Sequence, residues 1–362
     1  CSKWDGMGAR FGIDADDAIP MWVADMDFRA CPAVTEALQG LVDHGVHGYF
    51  GDDGPARAAV VNWMATRHGW TPEPDWISWC HGLVAGIGFS IQAFPEPGGG
   101  VVVFSPVYHT FGTTVRASGR ALHESRLVQV QGRYEMDLDQ LARDLPANAR
   151  MVLFCSPHNP GGRVWTEAEI TALCDFCAER NLILVSDEIH HDLVYSEATH
   201  HVTAKVAPGI ADRLVTLVAP TKTFNIAGCL TGAVVISNAA LRAKFTAAKA
   251  ASGSGASNRF GMIGVEASYR GGAAWLDALL PYLQANRDRL ASAVAEVIPG
   301  TRVMPLEATY LSWVDFSALG LDQAALEKKV LGDARVVVNK GPAFGSGGEG
   351  FLRFNFACPR AT

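Results

Sequence analysis

The sequence predicts an α/β protein: a large domain on a mainly parallel, mixed sheet covered by helices, plus a smaller α+β domain. Three observations carry this prediction. Short runs rich in β-branched residues at 101–104, 151–155, 182–186, 214–218 and 233–236 are too brief for helices and are bounded by Gly, Pro, Asn or Asp. Helical patterns separate several of them, and near-continuous apolar strands alternating with helices build a sheet buried on both faces. Beyond Ser252-Gly253-Ser254-Gly255-Ala256-Ser257 the pattern changes to a long helical region at 262–297 followed by strand candidates at 310–316, 336–339 and 351–356. The expected division is therefore a large domain at 35–250, with 1–34 and 251–362 forming the small domain and its N-terminal arm.

Taken in order, the elements have local reasons. The apolar run 82–94 is read as a helix over 85–94, and it is well short of the roughly 18–20 residues that a membrane span needs. In 166–180, Thr166 stands at a helix N-cap and Glu169 at the capping-box position three residues later. Cys174-x-x-Cys177 falls inside this helix, with no second Cys pair or nearby His to complete a tetrahedral metal set. The Gly345-x-Gly347-x-x-Gly350 spacing matches a dinucleotide-binding fingerprint, but a strand pattern follows it where a helix is required. It is read as a flexible loop near the mouth of an active site.

Composition excludes several function classes. Half the chain is hydrophobic (49%), which supports a large packed core, and the 30 basic against 37 acidic residues give a net charge of −7. Lys and Arg are nowhere concentrated, so neither nucleic acid nor a membrane surface is an expected partner. The eight cysteines are scattered, several of them in apolar runs, as reduced thiols of a cytoplasmic protein would be. No secretory leader is read at Cys1-Ser2-Lys3-Trp4.

Candidate chemistry gathers at strand ends, where open α/β sheets bind ligands. Asn159 lies in Ser156-Pro157-His158-Asn159-Pro160-Gly161-Gly162, directly after one apolar strand; the same segment also reads as an ordinary turn. Asp187 follows the next strand, where a partly buried carboxylate needs a partner, or else serves as a helix cap. The adjacent His190 and His191 point apart on any regular element, so they do not share one metal ion, and no metal is expected. Lys222, in Pro220-Thr221-Lys222-Thr223-Phe224-Asn225, follows a third strand among small and apolar neighbours. Such a setting lowers an amine's pKa and suits it to Schiff-base chemistry, whereas most lysines are simply solvated.

The order Asn159, Asp187, Lys222 resembles the class I/II aminotransferase superfamily, the fold type I pyridoxal-phosphate enzymes. Within it, the chain resembles the cystathionine β-lyase-like branch of carbon–sulfur lyases. The residues that carry this are Lys3-Trp4-Asp5, Pro20-Met21-Trp22-Val23-Ala24-Asp25-Met26-Asp27-Phe28, Arg67-His68-Gly69-Trp70, Asp187-Glu188-Ile189-His190, Lys222-Thr223-Phe224-Asn225, Thr309-Tyr310-Leu311 and Arg353-Phe354-Asn355-Phe356.

The resemblance implies pyridoxal 5′-phosphate as cofactor, with Lys222 as its covalent anchor and the base for the substrate's α-proton. Asp187 would pair with the pyridine nitrogen, Asn159 would donate to the ring's 3′-oxygen, and Tyr108 would stack on the ring, with His190 beside them. Gly82, Leu83 and Val84, with Thr221, would hold the phosphate, and Tyr49 would reach the partner subunit's phosphate in a homodimer. Leu230 departs from the pattern, because many members of the wider superfamily carry a basic phosphate ligand there. Arg353 would clamp the α-carboxylate of an L-amino-acid substrate, with Trp22, Ala24 and Asn159 lining the substrate side. The implied reaction is α,β-elimination from an L-cysteine thioether to thiol, pyruvate and ammonia. Transamination with a 2-oxo acid uses the same residues and stays open, as does a regulatory binding role on the same fold. Members of the branch continue at both ends, so further residues are expected there.

Overall fold

The computed structural model describes residues 1–255 and 257–362. Of the Ser252–Ser257 stretch expected to mark the change of pattern, Ala256 lies outside the described residues. The central sheet has seven strands: β1 (Ile77–Cys80), β2 (Gly100–Ser105), β3 (Ala121–Arg126), β4 (Ala149–Cys155), β5 (Ile183–Asp187), β6 (Leu214–Val218) and β7 (Gly232–Val235). Their spatial order is β1-β7-β6-β5-β4-β2-β3. The run from β6 to β3 is parallel, and β7 is antiparallel to both of its neighbours, so the sheet is mixed and mainly parallel. Each of the five predicted strands is present, shifted by no more than two residues at either end. The strands β1 and β3 have no counterpart in the sequence reading. Ala121–Arg126 is an edge strand of mixed polarity, and an edge lacks the apolar run that a central strand requires.

Register places the chemistry. Cys155 pairs with Asp187, and Asp187 pairs with Leu217, so β4, β5 and β6 end side by side. Asn159, Asp187 and Lys222 therefore emerge from three adjacent strand ends on one rim of the sheet. Helix α1 (Leu83–Ala93) packs beneath that rim, with Leu83, Ile87, Phe89 and Ile91 buried, and starts two residues earlier than its periodicity predicts. Helix α2 (Glu167–Glu179) carries the predicted capping box: the Thr166 hydroxyl accepts from the Glu169 N–H at 3.3 Å, and the Glu169 carboxylate accepts from the Thr166 N–H at 2.9 Å.

A second sheet, of four strands, is built from β8 (Arg302–Val303), β9 (Leu311–Asp315), β10 (Asn339–Lys340) and β11 (Phe351–Asn355) in the order β8-β9-β11-β10. The single strand expected at 336–339 is two: Val336–Val337 pairs in parallel with Ile19–Pro20 of the N-terminal arm, and Asn339–Lys340 pairs with β11. The long helical region is also two helices, Arg259–Gly271 and Ala273–Val297. They part at Gly272, where an added Cβ would stand 2.2 Å from the Phe224 ring and 2.4 Å from the Ser268 carbonyl oxygen. The expectation of a flexible loop at 345–350 is corrected. Ser346 N–H donates to Glu124 at 2.8 Å and its carbonyl accepts from the Ser105 hydroxyl at 2.8 Å, which pins the turn to the ends of β2 and β3.

Candidate active site

Above the rim formed by β4, β5 and β6 lies a cavity of about 410 Å³ lined by Asn159, Asp187, Lys222 and Arg353 together with residues of the N-terminal arm. Asp187 is 6% exposed, and among the described residues the one hydrogen bond to its carboxylate is from the Ile189 N–H at 3.2 Å. Burial pushes its carboxyl up to about 7, against the pull of Lys222. A carboxylate held this deep stays ionised at neutral pH only if a cation meets it, and the cavity leaves room for one.

Lys222 donates from Nζ to the Ala24 carbonyl at 2.5 Å. Burial, reinforced by the charge of Arg353, brings its amine down to about 8. The loop that carries it is tied to the arm by Asn225, whose amide accepts from the Met26 N–H (2.9 Å) and donates to the Met26 and Phe28 carbonyls (3.0 and 2.8 Å). The same Ala24 carbonyl also accepts from the Tyr310 hydroxyl at 2.9 Å. Tyr310 entered the sequence reading only as part of a motif.

Arg353 sits at the centre of β11, paired with Trp313 on one side and Asn339 on the other. It is 2% exposed and has no carboxylate partner among the described residues. Its Nη1 donates to Asn159 Oδ1 at 3.1 Å and its Nη2 to the Trp22 carbonyl at 2.9 Å, while Nε is buried without a partner. The guanidinium lies 5.0 Å from the centre of the Phe344 ring. A buried guanidinium held by neutral acceptors, with a donor left over, is suited to an incoming carboxylate. Because Asn159 Oδ1 is occupied, its NH₂ group is the one left to face the cavity.

At the opposite end, Gly82 (φ 80°) turns the chain into helix α1, which no side chain caps. The first-turn N–H groups of Leu83 and Val84 are thus free to hold an anion, with Thr221 beside them on the cavity wall. A Cβ at Gly82 would lie 3.9 Å from the Leu230 side chain, so Leu230, where a basic residue was the family expectation, puts an apolar group beside this helix start. Tyr108 and His190 also line the cavity. His190 is buried with Nδ1 unpartnered, and burial together with the charges of Lys222 and Arg353 keeps its imidazole neutral. Trp22 and Ala24 face the same space, whereas Tyr49 stands outside the cavity, 95% exposed.

His191 faces away from the cavity toward Asp192. Asp192 Oδ1 meets Trp63 Nε1 (2.9 Å) and His68 Nε2 (2.8 Å), and Oδ2 meets the Thr223 hydroxyl (2.9 Å) and His191 Nε2 (3.2 Å). This network fastens Thr223, next to Lys222, to the segment that carries Asp187. Sequence reasoning missed it, because its members are brought together from 63–68, 191–192 and 223 only by the fold. His109, Arg10 and Asn339 of the cavity wall were missed for the same reason.

An amine, a carboxylate without a cation, a free amide donor and an anion-binding helix end around one cavity suit an aromatic aldehyde with a basic ring nitrogen and a phosphate tail. Residues 17–362 match the family described as aminotransferase class I and II. The chain belongs to that family. It is 41% identical over 361 residues to cystathionine beta-lyase PatB of Bacillus subtilis, covering 99% of this chain and 93% of that protein. It superposes with a TM-score of 0.96 on cystalysin from Treponema denticola, a structure containing pyridoxal 5′-phosphate, at 34% identity over 100% of this chain and 92% of that one. A pyridoxal-phosphate-bound C–S lyase from Staphylococcus hominis matches with a TM-score of 0.92 and 29% identity, over 100% and 91% of the two chains.

Proposed function

We propose that this chain is a pyridoxal-phosphate-dependent carbon–sulfur β-lyase that cleaves an L-cysteine-derived thioether to a thiol, pyruvate and ammonia. The observation that carries the reading is the set of three ionisable side chains around one cavity: Lys222 with its lowered pKa, Asp187 without a cation and Arg353 without an anion. The sequence likeness to a protein named cystathionine beta-lyase selects elimination among the reactions that such a set serves.

When bound in this cavity, pyridoxal phosphate would supply an electron sink for negative charge developing at the substrate's α-carbon. Lys222 would be its covalent anchor, Asp187 the counter-ion that keeps its ring nitrogen protonated, and the Asn159 amide the donor to its ring oxygen. Tyr108 and His190 would flank the ring, and the N–H groups of Leu83 and Val84 with Thr221 would take the phosphate. Arg353 receives the substrate's α-carboxylate, which orients the α-hydrogen toward Lys222. The amine of Lys222, already pushed toward its neutral form, accepts that proton at Nζ. The β-carbon–sulfur bond then breaks with its electron pair on sulfur, and the proton held at Nζ is available to the departing thiolate. The three-carbon remainder hydrolyses to pyruvate and ammonia.

The finer organisation belongs to this same reading. The separate sheets support a large domain at 35–250 and a small one formed by both termini. The fully exposed Tyr49 supports a homodimer in which it reaches the partner's phosphate site. The burial of Cys31, Cys80, Cys155, Cys174 and Cys177 as free thiols accords with the cytoplasm. Replacement Lys222→Ala tests the assignment: borohydride reduction is expected to fix cofactor to the parent protein but not to the variant, with turnover abolished. Near-normal turnover in the variant would overturn it.

A further inference from the structure

The cavity holds a second guanidinium that the proposed reaction does not use. Arg10, from the N-terminal helix Met7–Phe11, lines the same cavity as Arg353. Its guanidinium lies 4.8 Å from the centre of the Trp22 ring, and among the described residues it makes no hydrogen bond or ion pair. Trp22 thus stands between two cations. Arg353 holds its carbonyl from the buried side, and Arg10 covers its ring from the exposed side. An exposed arginine ordinarily roams through solvent or finds a surface carboxylate. This one is held against an aromatic wall by cation–π attraction and keeps all of its donors free.

A second unpartnered polar group lies close by. His109 follows Tyr108 on the cavity wall, with its ring 5.8 Å from Phe344 and its Nδ1 buried without a hydrogen-bond partner. Burial and the charges of Arg353 and Arg10 push its pKa down to about 4, so at neutral pH it presents a neutral nitrogen that can accept from an ammonium. Arg10 and His109 both line this cavity.

Arg353 holds the Trp22 carbonyl and Arg10 covers the Trp22 ring on the wall of one cavity, so a substrate with its α-carboxylate on Arg353 would extend its far end along Trp22 toward Arg10. We propose that Arg10, with His109 beside it, forms a subsite for the distal amino-acid end of the substrate, Arg10 taking its carboxylate. This deepens the lyase reading and rests on it. The preferred substrates are thioethers that carry a second carboxylate on the leaving arm, and short S-alkyl cysteines lack the group the subsite is built to hold.

The test compares L-cystathionine with S-ethyl-L-cysteine as pyruvate-forming substrates of the cofactor-loaded parent, Arg10→Gln and Arg10→Lys proteins. A charged hydrogen bond of this kind is commonly worth about tenfold or more, so Arg10→Gln is expected to lower the ratio of kcat/KM for L-cystathionine over S-ethyl-L-cysteine about tenfold, through KM. Arg10→Lys is expected to restore most of that ratio. Calorimetry gives a readout independent of turnover: suberate, whose carboxylates are spaced as in cystathionine, is expected to bind the parent more tightly than octanoate, and to lose that advantage in Arg10→Gln. An unchanged ratio together with an unchanged suberate advantage would overturn the proposal. If the parent forms pyruvate from neither thioether, the lyase reading falls, and the calorimetric comparison still decides the role of Arg10.

Discussion

Lys222 and Arg353 are two cations turned into one cavity. Burial and the charge of Arg353 bring the amine to about 8, and burial brings the guanidinium to about 10. An arriving carboxylate relieves the strain on Arg353, whereas a neutral amine at Lys222 is what proton abstraction needs. On the proposed reading, removing Arg353 acts on substrate and leaves the cofactor in place. Arg353→Ala is expected to lose kcat/KM by roughly 30-fold or more, corresponding to about 2–5 kcal/mol for one partner of a buried charged pair, with the absorbance of bound cofactor retained. Steady-state kinetics alongside a cofactor spectrum checks this, and loss of the cofactor signal would reassign Arg353. At this scale Asn159, Asp187 and Lys222 were legible because each follows an apolar strand. Arg10, His109 and Asn339 were not, because nothing in their own neighbourhoods distinguishes a cavity wall from a surface.

At the scale of elements, local rules worked where they act within one turn or one strand. The capping box at Thr166 forms as the spacing predicts, and it closes on a helix packed by Ile170, Leu173 and Cys177. Thr166→Ala removes an exposed cap far from the cavity. It is expected to cost about 1 kcal/mol of stability, seen as a lower denaturant midpoint with unchanged kcat. The readings that failed depended on contacts between distant segments. The helical pattern is interrupted at Gly272, where Phe224 leaves no room for a side chain, and 336–340 divides because the N-terminal arm takes its first half. The glycines at 345–350 look mobile in sequence, yet Ser105 and Glu124 hold the turn.

Across the whole molecule, several imidazoles are buried, some at the cavity and some behind it. His158 is held at about 3 and His109 at about 4, and His190 and His200 are also lowered, in each case chiefly by burial. In the unfolded chain each would protonate near 6.5, so below that pH the unfolded state binds more protons and stability falls, by roughly 1.4 kcal/mol per pH unit for each group. Asp25, Asp187 and His191, all raised, act in the opposite sense but are three against the four imidazoles. The unfolding temperature is therefore expected to drop by several degrees between pH 7 and pH 5, and a flat or rising profile would contradict this balance. The central sheet was legible as alternating strands and helices, whereas the pairing of Ile19–Pro20 with Val336–Val337 joins segments that only the folded chain brings together.

Carbanion chemistry at this site is expected to end in loss of sulfur, and product analysis decides it. Cofactor-loaded protein is given L-cystathionine with no 2-oxo acid present. Pyruvate and a free thiol accumulating over many turnovers is the predicted result. Turnover that stops after about one equivalent of cofactor and resumes only when a 2-oxo acid is added would make the protein an aminotransferase and contradict the account.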